Sequence, residues 1–218
     1  MKIIRNIQQI FTLLLFVAFF AGCSSKDAVN EYDRPALYWY TQIVKEIGSS
    51  NLDKADNYYI SLRSEHMRSP LLPTATMILA QAHMEEQEFI MSDYYLDEYL
   101  KKYASNSGTE QAKFLKIKAA FLGIKDINKE QKLMMDTLTE VNSFVKRYPS
   151  STYLPVVQTI RVRLSMAQYM LNENIANLYA RIGKEKAEKI YRAKNKNSPL
   201  NVADIKAPTI GFIDSVFK

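Results

Sequence analysis

Few side chains in this 218-residue chain are equipped for covalent or acid–base chemistry: one cysteine, Cys23, and two histidines, His66 and His83. A zinc site gathers three or four His, Cys or carboxylate ligands at characteristic spacing. Neither histidine lies in a His-x3-His or HExxH arrangement. There is no GxSxG and no phosphate-cradling loop, because the six glycines stand singly. The acid pairs Glu85-Glu86 and Asp97-Glu98 are adjacent in sequence. Adjacent residues occupy different flanks of a helix, whereas a hydrolytic carboxylate pair must face one bond. The sequence therefore predicts no enzyme, no catalytic residue, no metal and no cofactor beyond what Cys23 could carry. His83 follows the apolar position Ala82 and is expected to line a groove or lie half exposed.

Cys23 has a more informative setting. Lys2 and Arg5 precede an apolar run from Ile10 to Ala21, and Gly22 stands before the thiol. These are the basic, greasy and small-residue regions of a secretory signal. The run is short for a membrane span, since ~30 Å of hydrocarbon takes roughly 20 apolar residues. A single cysteine cannot close an internal disulfide, and an idle thiol is a liability in an oxidising compartment. Phe20-Ala21-Gly22-Cys23 resembles the bacterial lipobox, with Phe20 in place of the usual aliphatic residue. That resemblance implies cleavage before Cys23, a diacylglyceryl thioether on its sulfur and an acyl chain on the new amino group. Several acyl chains together hold a protein on a bilayer, each buried methylene adding about 0.8 kcal/mol. Ser24, rather than Asp, implies sorting to the outer membrane, facing the periplasm. A secreted protein with a free thiol is the alternative.

The elements that follow read as helices. Apolar residues make up 47% and charged residues 24% of the chain, a balance that can bury a core, while Gly and Pro are scarce. The formal charge of +6 falls by two, to +4, once Lys2 and Arg5 leave with residues 1–22. The densest basic run, Lys184 to Lys196, is broken by Glu185 and Glu188. A nucleic-acid binder concentrates its basic residues on one face, so no nucleic-acid partner is expected.

Residues 24–35 read as a polar leash ending at Pro35, and beyond it the apolar residues recur with helical period. Tyr40, Ile43, Val44 and Ile47 form a stripe closed by Gly48, and Leu52, Ala55, Tyr59 and Leu62 form its return. A second pair runs through Leu72, Ala75, Leu79 and Ala82, then Phe89, Leu96, Tyr99, Leu100 and Tyr103. The third has Ala112, Leu115, Ala119 and Leu122 before Gly123, then Met134, Leu138, Val141, Val145 and Tyr148 before Pro149, with Asn128 and Gln131 predicted as a capping box. In the fourth, Val157, Ile160, Leu164, Ala167, Leu171, Ile175, Leu178 and Ile182 keep phase along one long helix stopped by Gly183, and Ala187, Ile190 and Tyr191 begin its return. The second helices of the four pairs repeat a small residue four before a large one: Ala55/Tyr59, Ser92/Leu96, Thr137/Val141 and Ala187/Tyr191. This is the packing logic of tetratricopeptide repeats, although the spacings of 37, 45 and 50 residues exceed the usual period of about 34. The expected fold is all-α, a tetratricopeptide-like α-solenoid of about four helical hairpins. A closed helix bundle is the alternative. The domain plan is a signal over 1–22, a lipidated tether over 23–35, a repeat domain over 36–195 and a tail over 196–218.

The lipobox and these irregular repeats together resemble the BamD (YfiO/ComL) family of outer-membrane assembly lipoproteins. The stretches YYLDEYLKKYASNS (94–107), VNSFVKRYPSSTY (141–153) and IANLYARIGKEKA (175–187) carry the resemblance, over residues 36–193. The chain departs from the usual family form in placing Ile182 between Arg181 and Gly183, and in lacking a fifth repeat. The resemblance implies a non-catalytic scaffold of the β-barrel assembly machine. Its partners would be a periplasmic POTRA domain of BamA, other lipoproteins of the machine and unfolded outer-membrane proteins. Tyr179 and Arg181 become candidates for the BamA side. Tyr38, Trp39, Tyr58 and Tyr59 cluster near the first hairpin, and those not needed to pack it on the second are candidates for substrate contact. A repeat lipoprotein of another envelope complex, such as a secretin pilotin or a cell-wall factor, is the alternative function.

Overall fold

A computed structural model describes residues 32–196, the side chains at 106 and 107 excepted. The signal segment, Cys23, most of the tether and the tail beyond Lys196 lie outside the described residues. The helical unit begins at Pro35. It contains α1 (Ala36–Gly48), α2 (Leu52–Glu65), α3 (Leu72–Glu85), α4 (Phe89–Lys102), α5 (Asn106–Gly123), α6 (Gln131–Arg147), α7 (Leu154–Arg181) and α8 (Glu185–Lys196). The fold is all-α and tetratricopeptide-like. Each helix packs on its sequence neighbours, and the first helices of successive hairpins also touch, α1 on α3 and α5 on α7.

Three of the four hairpin turns use the same device. After α1, α3 and α7 one residue takes a left-handed conformation: Ser50 (φ 53°), Gln87 (φ 63°) and Gly183 (φ 71°). Each is flanked by the paired backbone hydrogen bonds of a Schellman motif. After α7, Gly183 N–H donates to the Ala180 carbonyl at 3.1 Å and Lys184 N–H to that of Tyr179 at 2.9 Å. Gly48, expected to close α1, is instead its last helical residue, because the left-handed position falls two residues later. Pro73 and Pro155 sit in the first turns of α3 and α7, where the missing N–H has no helical partner to lose. The predicted capping box is replaced. Glu130 precedes α6 and its carboxylate accepts from Lys125 and Asp126 N–H at 2.6 and 3.1 Å, while Asn128 bonds to Asp126.

The predicted stripes are largely the buried ones. In α2 all four named residues are in the core, as are Leu72, Ala75, Leu79 and Ala82 of α3. In α1 the buried line runs through Trp39 and Ile43, leaving Val44 outside. The first three small/large pairs are buried, Ala55/Tyr59, Ser92/Leu96 and Thr137/Val141, and the fourth is half buried. Two apolar clusters result. One joins α1 to α5, the other α5 to α7, and Phe114 of α5 packs against both. Leu122, Leu178 and Ile182 depart from expectation. They keep helical phase with their stripes yet are 41%, 48% and 53% exposed, because among the described residues no further helix covers those turns.

Ser92 Oγ is buried without a hydrogen-bond partner among the described residues. The position needs a small side chain, not a hydroxyl, so Ser92→Ala should raise stability by about 1 kcal/mol, read as a higher urea midpoint. The turns give a second prediction. Gln87→Gly should stabilise and Gly183→Ala destabilise, each by roughly 1 kcal/mol, because only glycine enters the left-handed region without steric cost; thermal unfolding of the two variants checks the opposite signs.

Candidate functional site

The aromatic cluster of the first hairpin is built inward. Trp39 is 1% exposed, and its Nε1–H donates to Glu65 Oε2 at 2.8 Å. Tyr38 meets its ring edge-on at 5.2 Å and Tyr58 at a tilt at 5.9 Å. Tyr59 is equally buried, its hydroxyl 2.8 Å from Thr76 Oγ1, and burial pushes that hydroxyl far above its usual pKa. Trp39 and Tyr59 are therefore core residues whose rings no partner can reach in this conformation. Tyr38 is half buried at the edge of the cluster. Tyr179 and Arg181 lie in the fourth hairpin, apart from these, on the last turn of α7. Tyr179 is half buried, stacked on Tyr191 at 5.8 Å, and Lys194 Nζ lies 4.2 Å from the Tyr191 ring centroid on its other contact. Arg181 is exposed. The α7–α8 pairing beneath them is polar: Arg192 bonds Glu188, Glu173 and Asn177, and Asn195 bonds Asn172, the Tyr169 carbonyl and Glu173.

The sequence reading missed a polar cluster where α2, α3 and α4 meet. His83 is 2% exposed, not half exposed. Its Nε2 lies 3.0 Å from Asp56 Oδ1 and its Nδ1 2.6 Å from Glu88 Oε2. Tyr95 stacks on the imidazole at 5.4 Å and donates its hydroxyl to the same Asp56 oxygen at 2.6 Å. Burial opposes the charged imidazole, but the two carboxylates outweigh it and raise the His83 pKa above its ordinary value. One turn along, Glu98 is buried and held by Arg63 at 3.1 Å and Lys102 at 2.7 Å. Burial opposes its charge too, yet these two cations keep its carboxyl below the usual range. No sequence spacing announces such a cluster, since its members come from three helices.

Chemically the cluster is a clamp. Both imidazole nitrogens are engaged, so neither offers a lone pair to a metal ion or a proton to a substrate. Among the described residues no group of three or more His, Cys, Asp or Glu could hold a metal ion, and no helix is long and apolar enough to cross a membrane.

The family model of YfiO, an outer membrane lipoprotein, matches residues 32–195. The chain belongs to the YfiO family. The match opens just ahead of α1 and runs to the end of α8, so it takes in all four hairpins. The outer membrane protein assembly factor BamD of Helicobacter pylori is 35% identical over 183 residues, which are 84% of this chain and 83% of that protein. The BamD of Caulobacter vibrioides is 23% identical over 174 residues, 78% of this chain and 55% of that protein. In this YfiO-family chain the clamp around His83 therefore lies inside the matched repeats, where it joins the first hairpin to the second.

The clamp makes stability depend on pH in a defined direction. A folded-state pKa above the unfolded value of about 6.5 means that the His83 contribution is complete below that pH and is lost as pH rises through the folded value. The urea midpoint should fall on going from slightly acidic to alkaline buffer, and His83→Gln should be less stable at the acidic end and flatten that dependence.

Proposed function

We propose that this chain is a non-catalytic, lipid-anchored scaffold for assembling proteins into the outer membrane, tethered through Cys23 and facing the periplasm. The observation that carries the reading is the YfiO match over residues 32–195, joined by the 35% identity to the Helicobacter pylori assembly factor. Its chemistry is binding. Stacked hairpins offer extended surfaces to other polypeptides, and the buried charges of this chain are spent on holding helices together.

On this reading the C-terminal hairpin meets a periplasmic POTRA domain of BamA, through exposed Arg181 and the rim of Tyr179. The half-exposed apolar side chains Leu178, Ile182 and Ile190 support that assignment, since they lie on the same two helices. The N-terminal hairpins receive unfolded outer-membrane proteins, with Tyr38, half buried like Tyr58, as an accessible member of the aromatic cluster. Trp39 would serve that surface from beneath by holding α1 on α2, and Tyr59 by holding α2 on α3 and α4.

Affinity purification of the full chain from detergent-solubilised membranes tests the reading. BamA is expected as the dominant partner, and depletion of the chain should lower many barrel proteins together. A secretin or a cell-wall enzyme as dominant partner overturns it. Arg181→Glu, at an exposed site, should reduce recovered BamA severalfold with the helical circular-dichroism signal unchanged, while Cys23→Ala should move the protein into the soluble fraction.

A further inference from the structure

A cleft of about 300 Å³ opens where α4, α5 and α6 meet. Its floor is apolar, formed by Leu100, Ile117, Ala120 and Leu133, with Ile117 buried and Leu133 38% exposed. Its walls carry four carboxylates, Asp93, Asp97, Asp136 and Glu140, against two ammonium groups, Lys113 and Lys116. The rim is thus negative in a chain whose formal charge is +6.

The charges are not equivalent. Lys116 is committed: its Nζ lies 3.1 Å from Asp93 Oδ1 and also bonds Asp97. Burial opposes its charge and the two carboxylates outweigh that, so it stays an ammonium ion. Among the described residues Asp136 pairs only with Lys132, at 2.5 Å, through side chains 60% and 89% exposed. A pair so open to water is weak and readily exchanged. Glu140, one turn on from Asp136 and on the same face of α6, forms no ion pair among the described residues. A smaller recess shares Lys113, Ile117 and Glu140 with the cleft and adds Arg147 and Tyr148. Arg147 adds positive charge on the recess side, so a cation is favoured at the Asp136 end.

We infer that this cleft docks an extended segment of a partner polypeptide that places one aliphatic or aromatic side chain on the Leu100–Leu133 floor and a neighbouring Lys or Arg against Asp136 and Glu140. The volume suits one or two side chains, at the lower bound of ligand pockets. The apolar contact supplies affinity and the carboxylates select the sign of the flanking charge. The inference stands apart from which envelope machine the chain serves, because it concerns α4–α6 and not the terminal hairpins.

The test titrates the full chain in detergent micelles with two blocked pentapeptides, one with leucine between two lysines and one with leucine between two glutamates, followed by methyl NMR of Ile117 and Leu133. The lysine peptide should shift both methyls and bind roughly fivefold or more tightly than the glutamate peptide, with the difference shrinking as salt is raised. The double variant Asp136→Lys/Glu140→Lys, at exposed positions, should reverse the preference, and Leu133→Ser should weaken both peptides. Equal affinity for the two peptides, an unchanged preference in the double variant, shifts confined to other methyls, or no shift with either peptide overturns the inference.

Discussion

A two-helix hairpin buries only the faces its helices turn toward each other, so half of its apolar surface waits for a neighbour. That constraint organises this chain. Ala55, Ser92 and Thr137 are small where another helix must come close, and Tyr59, Leu96 and Val141, one turn on, are large where the gap must be filled. α5 is where the demand is greatest, because it serves two cores at once. Ala112, Leu115 and Ala119 belong to one, Ile117 and Phe121 to the other, and the ring of Phe114 stacks on Tyr153 at 4.4 Å across the junction.

Polar contacts then decide which turn meets which. In the N-terminal half, Asp56, His83, Glu88 and Tyr95 tie three helices at one level, and Arg63, Glu98 and Lys102 tie two of them a turn or two further on. Taking one member from such a cluster leaves a buried charge or hydrogen-bonding group unpaired, which costs more than the pair itself contributes. Between α5 and α7 the contact is almost wholly apolar, whereas α7 and α8 are joined through Arg192 and Asn195. Register is thus set by directional groups at both ends and by shape in the middle.

The same division separates the buried groups of this YfiO-family chain from the exposed ones. His83 and Glu98, each buried and each held by two oppositely charged partners, lie where helices are joined. Left outside are the exposed apolar residues of the last hairpin, Arg181 and the charged rim between α4 and α6, with Tyr38 half buried at the edge of its cluster.

The sequence alone determined the helix type, the hairpins over residues 36–195, the small/large pairs and the glycine stop after α7, because each of these follows from period and local backbone preference within a few residues. It also carried the family resemblance, since the stretches at 94–107, 141–153 and 175–187 are contiguous. Only the tertiary structure decided which side of a stripe is covered. Trp39 rather than Val44 faces inward because α2 approaches from that side with Glu65 placed to accept the indole N–H, and His83 is a clamp because Asp56 comes to it from 27 residues away. Leu178 and Ile182 keep perfect phase and remain open to solvent, for periodicity states which residues share a face of a helix but not whether anything arrives to cover it.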